Sequence, residues 1–407
     1  MTQTIGVEVG CPFTPAVLRK VVYAGTYAAF GQAVNDLQAL AEVEISREQV
    51  QRWTKRVGEE RVDDIQQQAE SYQELPLPDQ QRSPTAQVPQ VACVQMDGGR
   101  IQIRDRHSST ADDDSQGHWR ETLVGCCLSM ISDERAVDPC PTIPETFVDP
   151  ARMNDLSREI KGFSGDAEAA ASPPDDAPAD RDGCPEVLVK SVVATRQGVD
   201  AFGPQLVAEA HARGFHATRR KVFVADGSAT NWGVHRKHFS HYTPVLDFTH
   251  AICYVYAAAM AGRGGEAAWR DYCQWAQLLW SGNIAELIAA VAARSEELGD
   301  LGQDDETSPA AIAAKTLRYL KNQRSRMKYA QYRKLGLPIT SSHIESTIKQ
   351  INRRVKGSEK FWYQGAEPIL RLAADHLSET NAFDHFWRNR QHQLQHTRRY
   401  QTTRNAA

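Results

Sequence analysis

The chain of 407 residues lacks several features that would place it in a specialised class. No two of its eight cysteines stand at CxxC spacing, so neither a zinc knuckle nor a disulfide framework is indicated. No apolar run approaches the roughly 20 residues that span a bilayer, and the N-terminus has no signal-peptide pattern. No internal repeat is present. These absences favour a reduced, cytoplasmic protein with no membrane partner.

Charge is distributed very unevenly along the chain. Residues 105–186 contain 19 acids and 7 lysines or arginines, whereas residues 315–360 contain 13 lysines or arginines and 2 acids. The overall net charge of −4 conceals this polarity. The basic block indicates a polyanionic partner, although a solvated helical face is an open alternative.

The first 74 residues have a helical pattern. In EISREQVQRWTKRVGEER (44–61), Ser46 is a suitable N-cap, and three apolar residues at helical spacing predict a buried stripe, Val50, Trp53 and Val57. The cations Arg52, Lys55 and Arg56 are left on the outer faces. Together with a supporting helix in 26–46, this segment is typical of a helix-turn-helix, though many helical hairpins share the pattern. A Pro/Gln-rich linker, 75–90, follows.

Strands dominate the next part of the chain. They are predicted at 91–105 (strand, turn and continuation), 118–131, 186–195 and 221–227, with a helix at 203–215; residues 242–260 are predicted as a short fifth strand that runs into a helix. An acidic, proline-rich stretch at 163–186 predicts a disordered surface excursion. From residue 257 onward the pattern is helical, and a strong helix is predicted at 341–357.

Three acids are placed where they could hold a metal ion together. Asp97 follows the apolar run VACVQM and precedes Gly98, and Asp226 follows VFVA and precedes Gly227. Glu345 lies on the late helix. An all-oxygen set of this kind suits Mg²⁺ or Mn²⁺. Each acid has a simpler interpretation: Asp-Gly is a turn dipeptide, and Ser342 to Glu345 forms a capping-box pattern.

The predicted helix at 341–357 has a mixed polar face beside its apolar stripe. That face carries Glu345, Lys349, Asn352, Arg353 and Lys356. An acid among cations is consistent with a metal bound beside a phosphate backbone. An ion pair between Glu345 and Lys349 within the helix is the competing explanation.

Four motifs in a fixed order carry a family resemblance. They are QMDGGR (95–100), VFVADGS (222–228), DFTH (247–250) and HIESTIKQINRRVKG (343–357), the last preceded by LRYLKNQRSRMKYAQYRKLGLPITSS (317–342). The chain resembles the ISKra-type DDE transposases of bacterial insertion sequences, which belong with the Mutator-like supergroup. The likeness extends from about residue 40 to 380.

The resemblance implies an α/β fold of RNase H-like type, a mixed sheet whose third strand turns back. Its catalytic core is expected in 91–256 and 339–380, with an all-helical insertion at 257–338. The helical N-terminal region 1–74 and a basic C-terminal tail, 381–407, lie outside that core.

The resemblance further implies that Asp97, Asp226 and Glu345 are the catalytic, metal-binding triad. Two Mg²⁺ or Mn²⁺ ions would activate water to cut a DNA end, and the freed 3′-OH would then attack target DNA. Asp247 and His250 of DFTH are expected near the site, where the alternative for His250 is a hydrogen-bonded core histidine.

Double-stranded DNA is the implied partner, as terminal inverted repeats and as target, for a homodimer or larger assembly at the bacterial nucleoid. The predicted DNA contacts are Lys349, Asn352, Arg353, Arg354, Lys356, Arg52, Lys55 and Arg56.

Two other functions remain open on the sequence. An RNase H-like nuclease or junction resolvase would use the same three acids, and a domesticated DNA-binding protein would have lost catalysis. A separate signal comes from His235, His238 and His241, spaced by three. With no cysteine nearby, a solvated basic loop is favoured over a zinc site.

Overall fold

The computed structural model of the protein describes residues 10–103, 119–163, 184–299, 307–356, 362 and 365–404. The strands are β1 (Val91–Gln102), β2 (Trp119–Ile131), β3 (Glu186–Thr195), β4 (Arg220–Ala225) and β5 (Thr243–Leu246). The helices are α1 (Pro15–Tyr27), α2 (Phe30–Ala41), α3 (Arg47–Glu74), α4 (Leu77–Gln81), α5 (Pro150–Lys161), α6 (Val199–Ala212), α7 (Ala229–His238), α8 (Phe248–Met260), α9 (Gly265–Ser281), α10 (Ile284–Glu297), α11 (Pro309–Gln323), α12 (Tyr329–Lys334), α13 (Ser342–Val355), α14 (Ala366–Leu377) and α15 (Ala382–Arg404).

The five strands form one mixed sheet in the order β3-β2-β1-β4-β5. β2 is antiparallel to β1 and to β3, whereas β1, β4 and β5 are mutually parallel. The predicted α/β class with a mixed sheet is confirmed. The expectation that the third strand turns back is wrong, because the reversed strand is β2. β4 and β5 are parallel since α7 crosses between them and returns the chain to the same end of the sheet.

The Asp97-Gly98-Gly99 segment, predicted as a turn, is part of β1. Asp97 pairs with Val124, and the two glycines pair with the next residues of β2. β2 therefore supplies ladder partners through the whole segment, which leaves no break for a turn. Glycine is needed at 99 because a Cβ there would lie 2.8 Å from Thr122 Oγ1.

Helices follow β5 in the region predicted as an insertion. Within 248–299 and 307–334 the regular elements are α8 to α12 apart from the 3-10 turn Arg324–Arg326. α5, which precedes β3 and was not predicted, packs against α8. It begins where Asp149 accepts a hydrogen bond from Arg152 N at 2.7 Å and ends at Gly162, whose φ is +66°. Most of the predicted acidic excursion, 164–183, lies outside the described residues.

The N-terminal helices form a second apolar core. Ser46 caps α3 in a capping box with Gln49, and the predicted stripe Val50, Trp53 and Val57 is buried. This core is completed from the far end of the chain by Phe383, Phe386 and Trp387. The segment predicted as a basic tail therefore begins as the packed helix α15. Its aromatic residues at positions i, i+3 and i+4 share one face, which explains the packing.

A buried ion pair joins this N-terminal region to the rest of the fold. Arg61 on α3 donates from Nε and Nη2 to both carboxylate oxygens of Asp375 on α14, each at 2.8 Å. Both side chains are almost fully enclosed. The N-terminal helices are thus held against α14 by a bidentate ion pair.

Candidate metal centre

Three aspartates occupy equivalent positions on adjacent parallel strands. The pairing of β1 with β4 reaches Gln95 and Val224, and two residues further along each strand stand Asp97 and Asp226. The pairing of β4 with β5 reaches Ala225 and Leu246, and the next residue on each is Asp226 and Asp247. The carboxyl ends of parallel strands are where α/β sheets hold ligands. The register therefore aligns three carboxylates along one edge.

Asp226 is fixed by the residues that follow it. Its Oδ1 accepts a hydrogen bond from Ser228 N at 2.9 Å and another from the side-chain amide of Asn231 at 2.7 Å. The bond from Ser228 N is the one that a turn aspartate forms, so the interpretation of Asp226 as a turn residue is correct. The bond from Asn231 is additional to that role. Asn231 is buried and also donates to the Met96 carbonyl at 3.4 Å, which ties β4 to β1 beside Asp97.

Asp247 joins β5 to two helices. Its side chain is fully buried and accepts hydrogen bonds at the start of α8 from Thr249 N and His250 N, each at 3.2 Å. It also accepts from Ser341 N at 3.1 Å, just before α13. Its Oδ2 lies 2.5 Å from His250 Nδ1. The DFTH motif is therefore a helix cap that orients an imidazole.

Glu345 lies in the first turn of α13. The predicted capping box does not form, because the helix begins one residue earlier, with Ser341 at the N-cap position and no side-chain cap bond. Glu345 Oε1 instead accepts a long bond from Ser341 Oγ at 3.4 Å. The start of α13 is anchored by Gln95, which donates to the Thr340 carbonyl at 3.0 Å and accepts from Ile344 N at 3.1 Å.

The structure brings one group of possible ligand atoms especially close together. The atoms offered by Asp247, His250 and Glu345 all lie within 4.8 Å of one another. Asp97 and Asp226 are not in that group, although both interact electrostatically with His250. The predicted triad and the DFTH pair thus adjoin each other, because Glu345 interacts electrostatically with Asp97 as well as with Asp247 and His250.

The carboxylates repel one another. Burial, and then the charge of Asp226, raise the pKa of Asp97 to about 6. Burial and the charge of Asp247 likewise raise the pKa of Glu345. Burial opposes protonation of His250, yet the hydrogen bond and charge of Asp247 and the carboxylates of Asp226 and Glu345 raise its pKa to about 9. Excess negative charge at this edge favours a bound cation.

The donor set fits a hard divalent ion. Asp97 Oδ1 accepts from Gly98 N at 2.7 Å, and Asp226 and Glu345 also use one oxygen each. The second oxygen of each acid accepts no hydrogen bond from the residues that the structure describes. Free carboxylate oxygens are ligands for Mg²⁺ and Mn²⁺. His250 is held by Asp247 beside these carboxylates, which raise its pKa to about 9.

The predicted DNA contacts divide into two groups. Lys349, Arg353 and Lys356 are exposed on α13, Asn352 and Lys55 are half-buried, and Arg52 and Arg56 are exposed on α3. Arg354 is buried: its guanidinium donates to the Gly25 carbonyl at 2.9 Å and lies over the rings of Phe30 and Trp362. Because its donors face the N-terminal helices, Arg354 is withdrawn from the set of DNA contacts.

Of the three spaced histidines, only His241 lies in an exposed turn, as predicted. His235 and His238 are in α7, and His235 is buried with Nε2 3.0 Å from the Tyr242 carbonyl. Phe223 and Trp232 pack around the His235 ring, which explains its burial. Among the described residues these histidines form no group that could hold a metal.

Comparison with known proteins finds no family model and no curated relative that matches the chain. None of the described helices combines the length and apolarity that crossing a bilayer requires.

Proposed function

We propose that this protein is a DDE transposase with an RNase H-like catalytic core. The observation that carries the proposal is the register that puts Asp97 and Asp226 side by side, with Glu345 brought to the same edge by α13. The mixed sheet and the run of helices between the second and third acids support the RNase H-like assignment.

In this proposal Asp97, Asp226 and Glu345 hold Mg²⁺ or Mn²⁺ through their free oxygens. Bound divalent ions would supply Lewis-acid activation of a water or 3′-OH and would stabilise the leaving oxygen at the scissile phosphate. The chain's own residues set the geometry. Asn231 fixes Asp226, Gln95 fixes the start of α13, and Asp247 fixes the imidazole of His250 beside the same carboxylates.

Two alternatives differ in what they require of the chain. A resolvase or simple nuclease would need the acids but not a helical domain carrying exposed cations on α3. A DNA-binding protein that had lost catalysis would not need aligned carboxylates with free oxygens. Transposition also predicts a homodimer or larger assembly on DNA, because two element ends must be joined.

The test is a cleavage and joining assay with Mg²⁺ on a duplex that carries the element's terminal inverted repeat. Wild-type protein is expected to nick the end and join it to target DNA, and Asp226→Asn and Glu345→Gln to lose both activities. Asp79→Asn, a change at a half-buried acid on α4 that pairs with the exposed Arg82, is the matched control. Nicking without joining supports the nuclease. Binding without either step, or normal activity of Asp226→Asn, refutes the transposase mechanism.

A further inference from the structure

Helix α11 has one buried face and one strongly basic face. The buried positions are Ala313, Thr316, Leu320 and Gln323. The exposed cations Lys315, Arg318 and Lys321 recur every three residues, and Arg324 continues them into the following 3-10 turn. At 1.5 Å per residue, Lys315 to Lys321 spans roughly 9 Å along the helix. We call Lys315, Arg318, Lys321 and Arg324 together the α11 basic face.

The buried side of α11 contacts the backbone next to Asp226. A Cβ at Gly227 would lie 2.3 Å from Tyr319 Cε2, so the tyrosine ring rests directly on the glycine. Gln323 donates to the Gly227 carbonyl at 3.4 Å. The α11 basic face therefore belongs to the same local structure as the second acid of the site.

Lys161 at the end of α5 extends the positive charge toward the carboxylates. Its Nζ lies 2.8 Å from the centroid of the Tyr254 ring, which stacks on Tyr319 at 3.8 Å. Burial and the charge of Lys315 lower the pKa of Lys161 to about 8, while Asp226 acts in the opposite direction. Cations thus run from beside Asp226 outward onto α11.

The α11 basic face has no acidic partner among the residues that the structure describes. Within the described part of the chain no carboxylate forms an ion pair with Lys315, Arg318, Lys321 or Arg324. Elsewhere the exposed cations are often paired, as Lys349 is with Glu159 at 2.7 Å. A row of uncompensated cations on a single face is the electrostatic pattern that binds a phosphate backbone.

The α11 basic face lies away from the N-terminal helices. α13 packs on β1 and β2, and its Arg354 contacts the N-terminal domain at Gly25. α11 instead contacts the segment that follows β4, on the other side of β1 in the sheet order. α13 and α11 therefore reach the carboxylates from different strands of the sheet.

We propose that the α11 basic face binds the DNA beyond the scissile phosphate, outside the element end held by the N-terminal helices and α13. This inference rests on the proposed function, since it assumes that a phosphodiester is cut at the carboxylates. It assigns separate surfaces to the two sides of the cleavage point. α11 contributes affinity through phosphate contacts and carries no sequence information.

The test compares two duplexes in EDTA, so that binding is measured without cleavage. One duplex ends at the cleavage point and the other extends about 15 base pairs beyond it. The triple variant K315Q/R318Q/K321Q is expected to bind the extended duplex at least about 10-fold more weakly than wild type at moderate salt. The slope of its log binding constant against log salt concentration should be smaller than that of wild type by the contribution of about three phosphate contacts. Its affinity for the short duplex is expected to be unchanged.

The control variant is R82Q/R135Q/R219Q, which neutralises three exposed cations elsewhere. Arg219 precedes β4 and so lies at the opposite end of that strand from Asp226. Thermal melting checks that both triple variants are folded. Unchanged binding of the extended duplex overturns the proposal, and so does equal weakening for the two duplexes. Failure of the transposase function is distinguishable, because wild type would then bind both duplexes and cut neither when Mg²⁺ is added.

Discussion

Asn231 donates a hydrogen bond from its side-chain amide to Asp226 at 2.7 Å. The same amide nitrogen lies 3.4 Å from the carbonyl of Met96, the residue before Asp97. One buried side chain of α7 therefore sets both the orientation of the second acid and its position relative to the first.

Replacing Asn231 with alanine is expected to lower the apparent affinity of the site for Mn²⁺ by roughly 10- to 100-fold, as loss of a partner that orients a metal ligand typically does. The free energy of unfolding should fall by about 1–3 kcal/mol, because the Met96 carbonyl loses a buried donor. The measurements are cleavage rate against Mn²⁺ concentration and urea unfolding. Asn283→Ala, at an exposed asparagine, is the control. An unchanged Mn²⁺ dependence would remove Asn231 from the site.

Gly227→Ala is expected to reduce both cleavage and stability, because its Cβ would lie 2.3 Å from the Tyr319 ring. Overpacking of this kind costs about 1–3 kcal/mol and displaces the backbone next to Asp226. Tyr319→Leu in the same chain should restore part of the lost cleavage rate by making room. Failure of that second change to recover any activity would show that Gly227 acts for another reason.

Breaking the buried pair between Arg61 and Asp375 is expected to destabilise the protein strongly. Arg61→Ala leaves a buried carboxylate uncompensated and should lower the free energy of unfolding by about 3–5 kcal/mol. The double variant R61M/D375L should be closer to wild type, since it removes both charges. Urea unfolding measures both, with Arg82→Ala at an exposed pair as the control. A cost below about 1 kcal/mol for Arg61→Ala would contradict the structural role assigned to this pair.

Stability is expected to fall as the pH is lowered, partly through His216. Burial, and then the charges of His241 and His211, lower its pKa from 6.5 to about 3. Between these values the unfolded chain binds a proton that the folded chain does not, so the free energy of unfolding decreases with falling pH by on the order of 1 kcal/mol per unit.

The check is urea unfolding at pH 7 and pH 5 for wild type and His216→Gln, which keeps a polar group near Tyr72 and Tyr242. The variant should lose less stability between the two pH values. The exposed His385, replaced by glutamine, is the control and should leave the difference as in wild type. An equal pH dependence in wild type and His216→Gln would contradict the assignment.

Much of the secondary structure followed from local pattern. The strand predicted at 186–195 has those bounds in the structure, and Ser46 caps the helix that contains the Val50, Trp53 and Val57 stripe. These elements are predictable because alternation, helical spacing and caps act over a few residues. α5 was missed, although Asp149 followed by Pro150 is a helix-start signal that could have revealed it.

The partners of the acids could not be predicted in the same way. Gln95 and Asn231 have no local feature that distinguishes them, and each acts through a contact with a distant segment. Arg354 shows the converse: its sequence context is that of a DNA contact, but tertiary packing places it under the N-terminal helices. The spacing of apolar residues predicts which face of a helix is apolar, but it does not predict which part of the chain packs on the polar face.

The sequence alone determined the residue types at the ends of the strands, the charge of the late helices and the elements that carry them. Only the tertiary structure decided that Asp97, Asp226 and Asp247 stand in register, because the pairing of β1 with β4 relates residues more than a hundred positions apart and β5 joins the same sheet beside β4. It also decided that Glu345 is free of a capping box, since Asp247 fixes the N-cap residue Ser341 and Gln95 fixes Thr340 and Ile344 on either side of it.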